Sequence, residues 1–494
     1  MARQGKGSKP RSVSTTGSNG KASRSIAGIG DSAPATNGVG SVTTESTTVT
    51  TTSPGRRRKL SLWRRILYGV AIVFVLLIAG VGGFIWYTVQ KSQPTVNGSA
   101  QLKGLSGPVT VTRDTFGVPH IVAANISDLY AGEGYVHAQD RLFQMFLFRA
   151  VGEGRLSETF GGGQLDTDRF LRFVGFRRAA EAETKQLPAD VRSALEAYSR
   201  GVNEFIHTHA DSLPLEFGLQ DIKMEDWQPV DTIAFGKLQA WDLSNSWSDD
   251  LLRSDVIAKV GAATAARLFP QYPQSGPFIV SNTSSGFALP ALQAYNNKVK
   301  PWLLNMGLDG LGSNNWVVDG SKSTTGKPLL ANDPHLAARN PSIWYQVHLS
   351  TSDGKYDAVG FSFAGAPGII TGHNQNIAWG VTNTGTDVQD VFLEKLDPAG
   401  HPAQYLSGDK WLPMQVITET FLVKGGDTVT NTVRITGHGP LLSDFVASAP
   451  VTSTPGISLN GQPYSMQWTA AKPGHLFEAV YGLQTASNWD QFRA

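Results

Sequence analysis

The sequence predicts an α+β protein, with helices gathered in the first half of its folded part and strands in the second. Three observations predict this. Helical apolar spacing recurs between residues 126 and 269, short strand patterns follow one another after residue 313, and the two kinds do not alternate as a βαβ fold needs. The chain has 494 residues, 40% hydrophobic and 17% charged, enough apolar material for a sizeable core. A net charge of +2 leaves no polyanion-binding footprint, so no nucleic-acid partner is expected. The absence of cysteine excludes disulfides, cysteine nucleophiles and thiolate metal sites.

Residues 1–59 hold no core-forming material. "TTESTTVTTTSPG" (Thr43–Gly55) is polar and of low complexity, and Met1–Pro54 reads as disordered. Residues 60–92 read as a membrane anchor. Ile66–Val89 is 24 residues without a charge, long enough to cross about 30 Å of hydrocarbon. Arg56, Arg57, Arg58, Lys59, Arg64 and Arg65 precede it, and little more than Lys91 follows. That asymmetry predicts a cytoplasmic N-terminus and an extracytoplasmic remainder. A cleaved signal peptide is the alternative; the long apolar run and the lack of a small-x-small site favour a retained anchor.

From Gly107 the composition is globular. "VTVTRDTFGVPHIVA" alternates like a strand, breaks at Gly117 and resumes. Helix is expected over Ile126–Phe160, Pro188–Ala210 and Ala240–Phe269. In the second, Val191, Leu195, Val202, Phe205 and Ile206 make one apolar stripe, and Pro188 suits a first turn. Residues 271–312 lose periodicity and read as a linker or excised spacer. After Ser313 come short strand patterns: "NNWVVDG", "KPLLAND", "SIWYQVHLS", "YDAVGFSF", "GIITGHN" and "IAWGVTN".

Candidate chemistry is sparse by motif. No HExxH is present, and His335, His348, His373 and His438 read singly as structural histidines. "GFSFAG" (Gly360–Gly365) approaches a nucleophile elbow around Ser362, but its second glycine is one residue late and no helix follows. "GLGSNNWVVDGS" (Gly310–Ser321) offers two readings. Glycine and serine make loops, and a loop precedes a strand. Alternatively, a cut before Ser313 would give that serine its own base, because a free α-amine has a pKa of about 7.7 to 8. Gly312 would then let the backbone take the strained turn that aims the hydroxyl at the preceding carbonyl.

Several blocks resemble the penicillin acylase family of N-terminal nucleophile hydrolases. "RDTFGVPHI", "GYVHAQDRLFQM" and "GEGRLSE" are similar to the start of that family's α chain. "GSNNWVVDGSKSTTGKPLLANDPHL" and "PGIITGHNQNIAWGVTNTGTDVQD" are similar to the start of its β chain. The resemblance covers most of residues 107–494. It implies a four-layer αββα sandwich, with residues 93–270 as the α-chain segment and 313–494 as the first part of the β chain of one precursor.

The resemblance also implies roles. Gly312–Ser313 is the self-cleavage bond, and Ser313 is the nucleophile that hydrolyses a linear acyl amide through an acyl-enzyme. The backbone N–H of Asn383 is one oxyanion donor. His335 holds the Ser313 hydroxyl, or else caps a loop. Asp387 and Asp390, with Asp250 (Asp249 as the neighbouring choice), ligate one structural calcium ion; the alternative is solvated loop carboxylates. Leu336 and Thr371 line the acyl pocket where aromatic-acid enzymes carry phenylalanines, which points to an aliphatic acyl group. No organic cofactor is implied. A second oxyanion asparagine and further ligands would lie beyond the 182 residues from Ser313 to Ala494, so the sequence reads as a truncated member, weakly active or inactive alone. A catalytically inactive, membrane-anchored fragment or binding module is the alternative.

Overall fold

A computed structural model describes residues 61–244, 246–268, 312–397, 403–442, 444–445 and 463–494, leaving aside some side chains within 248–255. The expected tail (1–59) and the spacer before Gly312 lie outside these residues. The chain divides into two units, Met1–Phe74 and Val75–Ala494. Helix α1 (Leu62–Ser92) runs through that boundary, with no buried residue and enough length and apolar character to cross a membrane.

Strands β1 (Thr110–Arg113) and β2 (Pro119–Ala123) form a hairpin. Gly117 sits at its turn at φ 81°, and Asp114 Oδ1 accepts from the N–H groups of Phe116 and Val118. Helix α2 (Ile126–Glu153) is capped by Asn125, whose side chain accepts from Asp128 N–H. It stops at Gly154, left-handed at φ 62°, so the expected helix to Phe160 breaks there and restarts as α3 (Leu156–Phe160). Helices α4 (Leu165–Val174) and α5 (Phe176–Thr184) follow, joined at the left-handed Gly175. Helix α6 (Ala189–Thr208) buries the stripe predicted for it. α7 (Leu215–Gln220) is a short turn of helix. Helix α8 (Pro229–Asp242) starts well before the expected Ala240. It is buried almost all round, so it has no polar face for periodicity to detect. α9 (Ser246–Val260) and α10 (Ala262–Leu268) complete the helical half.

Helices α2 and α6 press backbone on backbone. A Cβ at Gly201 would lie 1.8 Å from the Ala131 carbonyl oxygen, and one at Gly134 would lie 2.2 Å from that of Tyr198. Only glycine allows this approach.

The second half is β-rich, as expected. Its strands are β3 (Ser313–Val318), β4 (Leu329–Pro334), β5 (Trp344–Thr351), β6 (Asp357–Phe363), β7 (Ala366–Asn374), β8 (Ala378–Trp379), β9 (Gln389–Leu393), β10 (Gln404–Ser407), β11 (Lys410–Pro413), β12 (Gln415–Phe421), β13 (Val429–Ile435) and β14 (Tyr464–Trp468). Helices α11 (Leu476–Thr485) and α12 (Trp489–Arg493) end the chain. One sheet has the order β1-β2-β5-β6-β7-β8. Its β2–β5 pair is parallel, with His120 opposite His348, and joins the segment before Ser313 to the segment after it. Ile121, Val347, Leu349 and Ala358 on its inner face are fully buried, in one core with α2 and α6.

The remaining strands pair two by two: β3–β4, β9–β14, β10–β11 and β12–β13. Among the described residues one helical layer covers one sheet, and no second sheet exceeds two strands. The α+β character is thus observed; among the described residues one helical layer on one sheet is seen of the four-layer sandwich.

Candidate active site

Ser313 opens β3, which pairs antiparallel with β4 in a register that places Ser313 opposite Pro334. One residue past that partner, the His335 backbone N–H donates to the Gly312 carbonyl oxygen at 2.8 Å. The carbonyl that a Ser313 hydroxyl would attack is therefore already polarised by a peptide dipole. Nothing lies within 4 Å of a Cβ built on Gly312, so crowding does not demand glycine there. Among the described residues, Ser313 Oγ has no hydrogen-bond partner.

The His335 ring lies elsewhere than expected. Its Nε2 is 2.8 Å from Asp333 Oδ2 and 3.4 Å from Asn314 Nδ2. The carboxylate contact is shorter and charge-assisted, so Nε2 carries the proton and donates to Asp333. In this uncut chain His335 thus touches the junction through its backbone, not through its imidazole.

Asn332 ties this hairpin to the strand end behind it. Its Nδ2 donates to the carbonyls of Asn314 and Val381, at 3.1 and 2.8 Å. Its Oδ1 accepts from the Val381 N–H at 3.1 Å and the Thr371 hydroxyl at 2.9 Å. Gly380 permits the approach: a Cβ there would lie 2.8 Å from Asn315 Nδ2 and 2.9 Å from Asn332 Cβ. Two residues beyond Val381, the Asn383 side chain accepts from Gly385 N–H and donates to the Leu243 carbonyl. Its backbone N–H has no partner among the described residues, as an oxyanion donor requires. Thr371 is buried with its hydroxyl on Asn332, and Leu336 is half-buried against the main core.

Asp387 and Asp390 flank the start of β9. Burial, and then the nearby Asp387 charge, push the Asp390 carboxyl above its usual range. Two close carboxylates of this kind fit one edge of a hard-cation site. Helix α9 reaches the same place: Ser246 Oγ accepts from the N–H groups of Val388 and Gln389, at 3.1 and 3.0 Å. Asp250 lies one turn along α9 and is half-buried; the Asp249 side chain is outside the described residues. Among the described residues no three His, Cys, Asp or Glu side chains converge on one point. The pair at 387 and 390 fits a cation, whereas the trio with Asp250 does not close.

Ser362 is excluded as an accessible nucleophile. It is fully buried and donates to the Tyr345 carbonyl at 3.1 Å. His137 Nε2 lies 3.0 Å from its oxygen and so must donate, while Nδ1 accepts from Tyr198 O–H at 2.9 Å. The neighbouring histidine therefore presents the serine with a proton, not a lone pair. Burial holds His137 neutral, with a pKa lowered to about 3. The other histidines are engaged too: His438 stacks on Phe392 and bonds Glu394, and His348 bonds His120 and Asp357.

The sequence profile of the penicillin amidase family matches residues 108–494, well over half of the chain. The chain belongs to the penicillin amidase family. Among curated members, the acyl-homoserine lactone acylase QuiP of Pseudomonas aeruginosa is 34% identical over 76% of this chain and 45% of its own length. The penicillin acylase 2 proenzyme of Pseudomonas sp. strain SE83 is 33% identical over 80% and 52% respectively. Penicillin G acylase of Escherichia coli is 28% identical over 78% and 50%. The chain thus spans about half the length of the curated penicillin amidase relatives it matches. A thermostable penicillin G acylase from Alcaligenes faecalis aligns in structure with a TM-score of 0.30 at 26% identity, over 36% of this chain and 30% of that one.

Proposed function

We propose that this member of the penicillin amidase family is an acylase precursor that cuts itself between Gly312 and Ser313 and then hydrolyses linear acyl amides. The observation that carries the reading is the His335 N–H on the Gly312 carbonyl, directly before a serine whose hydroxyl is uncommitted. In the cut, Ser313 Oγ bonds the Gly312 carbonyl carbon, and the Gly312–Ser313 C–N bond breaks. The hydroxyl proton passes to the departing amine, leaving an ester that water hydrolyses. The Gly312 carboxylate, the Ser313 hydroxyl and a free α-amine result. That amine, near neutrality in pKa, then serves as base while Ser313 attacks the substrate carbonyl. The Asn383 N–H receives the developing oxyanion, a contact worth roughly 3 to 4 kcal/mol of barrier.

Relatives named for acyl-homoserine lactones and for penicillin support amide hydrolysis by acyl transfer. Leu336 and Thr371 supply no aromatic ring, which favours an aliphatic acyl group over phenylacetyl. A clear preference for phenylacetyl over octanoyl amides in steady-state kinetics would reverse that assignment. Asp387 and Asp390 would supply two carboxylate ligands to a structural calcium ion at the start of β9. Residues 66–89 would anchor the chain in a membrane with the basic flank in the cytoplasm.

The test is intact mass and N-terminal sequencing of the purified chain beside Ser313→Ala. A fragment beginning Ser-Asn-Asn-Trp in the wild type alone supports the reading. An uncut chain that still hydrolyses amides would replace it with a conventional hydrolase, and an uncut, inert chain with a binding module.

A further inference from the structure

We propose that Asn332 is the positioning residue that holds the nucleophile strand and the oxyanion loop in one register; this rests on the acylase reading above. A primary amide has two N–H donors and two acceptor positions. Asn332 has all four occupied, and each goes to a piece of the candidate site. One donor holds the Asn314 carbonyl, next to the nucleophile. The other donor and one acceptor grip both main-chain groups of Val381, two residues before Asn383. The last acceptor takes the buried Thr371 hydroxyl of β7, which ties the clamp to the six-stranded sheet.

Among the described residues, no other hydrogen bond joins the β3–β4 hairpin to the segment 380–383. The two sheets are separate, so backbone pairing cannot set their relative position. The clamp does so through one side chain, and Gly380 lets the loop backbone lie against it. A shift of about 1 Å between nucleophile and oxyanion donor is enough to slow such chemistry on the order of 100-fold. Asn332 itself touches neither reacting atom.

The chemical signature is specific. Asn332→Asp keeps the shape and both acceptors but turns oxygen toward the carbonyls of Asn314 and Val381. Gly380→Ala leaves the amide intact and pushes the loop away from it. Both variants should release the Ser313 N-terminus on the order of 100-fold more slowly than wild type. Once processed, they should show a comparable fall in kcat for an octanoyl amide, with KM nearly unchanged.

Hydrogen exchange read by mass spectrometry gives the second measurement. The Val381 amide should lose protection in Gly380→Ala, which displaces the loop from the Asn332 acceptor, while the β5–β6 amides keep theirs. A merely structural role would instead lower protection throughout the sheet and move KM with kcat. Wild-type cutting rates in both variants, or an unchanged Val381 amide in Gly380→Ala, would overturn the positioning role alone. A wild-type chain that never shows the Ser313 N-terminus would overturn the acylase reading, and the role with it.

Discussion

The peptide N–H of His335 and the carbonyl oxygen of Gly312 meet at 2.8 Å, across the open end of the β3–β4 hairpin. The contact exists because Ser313 pairs with Pro334, which carries the next residue past the strand end and onto the junction. In an antiparallel ladder that pairing puts the next cross-strand donor at His335, whichever residue stands at 334.

Two substitutions at His335 separate its backbone from its ring. His335→Ala retains the N–H and should cut within a few-fold of the wild-type rate. His335→Pro removes the donor and should slow the cut by about 100-fold, as loss of one oxyanion donor does. A time course of intact mass decides; equal rates in the two variants would remove this N–H from the cleavage step.

The Asp387–Asp390 pair predicts cation-linked stability. Calcium should raise the thermal midpoint of the purified wild-type chain, and a chelator should lower it again. Asp390→Asn should abolish the shift, because one of two close carboxylates is gone. A wild-type midpoint indifferent to calcium would leave these residues as solvated carboxylates.

Glu133 predicts a pH dependence of stability. Burial raises its carboxyl to about 8 from 4.5, only partly opposed by the Gly368 N–H. Between those values the unfolded chain releases this proton while the folded chain keeps it, so its contribution falls as pH rises. Its neighbour His137, held down to about 3, acts in the opposite sense and weakens the fold as pH drops from 6.5. Glu133→Gln should therefore stabilise the chain at pH 7 by up to about 3 kcal/mol, with no gain near pH 4. Denaturant titrations at the two pH values test the difference; an equal gain at both would point to packing instead.

Glu183 and Lys237 form a buried ion pair at 2.5 Å, nearly inaccessible to solvent on both sides. Lys237 also donates to the Lys472 carbonyl, and Glu183 accepts from Gly474 N–H, so the pair ties α5 and α8 to the segment before α11. Lys237→Met should destabilise by roughly 3 to 5 kcal/mol, because it strands a buried carboxylate. Adding Glu183→Gln should recover part of that loss in a double-mutant cycle. Full additivity of the two changes would deny the coupling.

The order of helices and then strands was legible in the sequence, as were the hairpin break at Gly117 and the buried stripe of α6. So were the apolar run of α1 and the family blocks that carry Ser313, His335, Asn383 and the paired aspartates. Each rests on local information: a period, a turn residue or a contiguous motif. Helix α8 escaped because a helix buried on all sides has no period to show. Asn332 escaped because its partners at 314, 371 and 381 are distant in sequence and three of its four bonds go to backbone, which leaves no side-chain pattern to read.

Tertiary structure alone decided the rest. It placed β2 parallel to β5, across the junction that a cut would open. It buried Ser362 beneath a histidine that offers it a proton, and it turned the His335 ring toward Asp333 while aiming its peptide at Gly312. The physical reason is the same in each case. Sequence fixes what a segment can be from neighbours a few residues away, whereas burial, proton direction and register depend on groups brought together only when the chain packs.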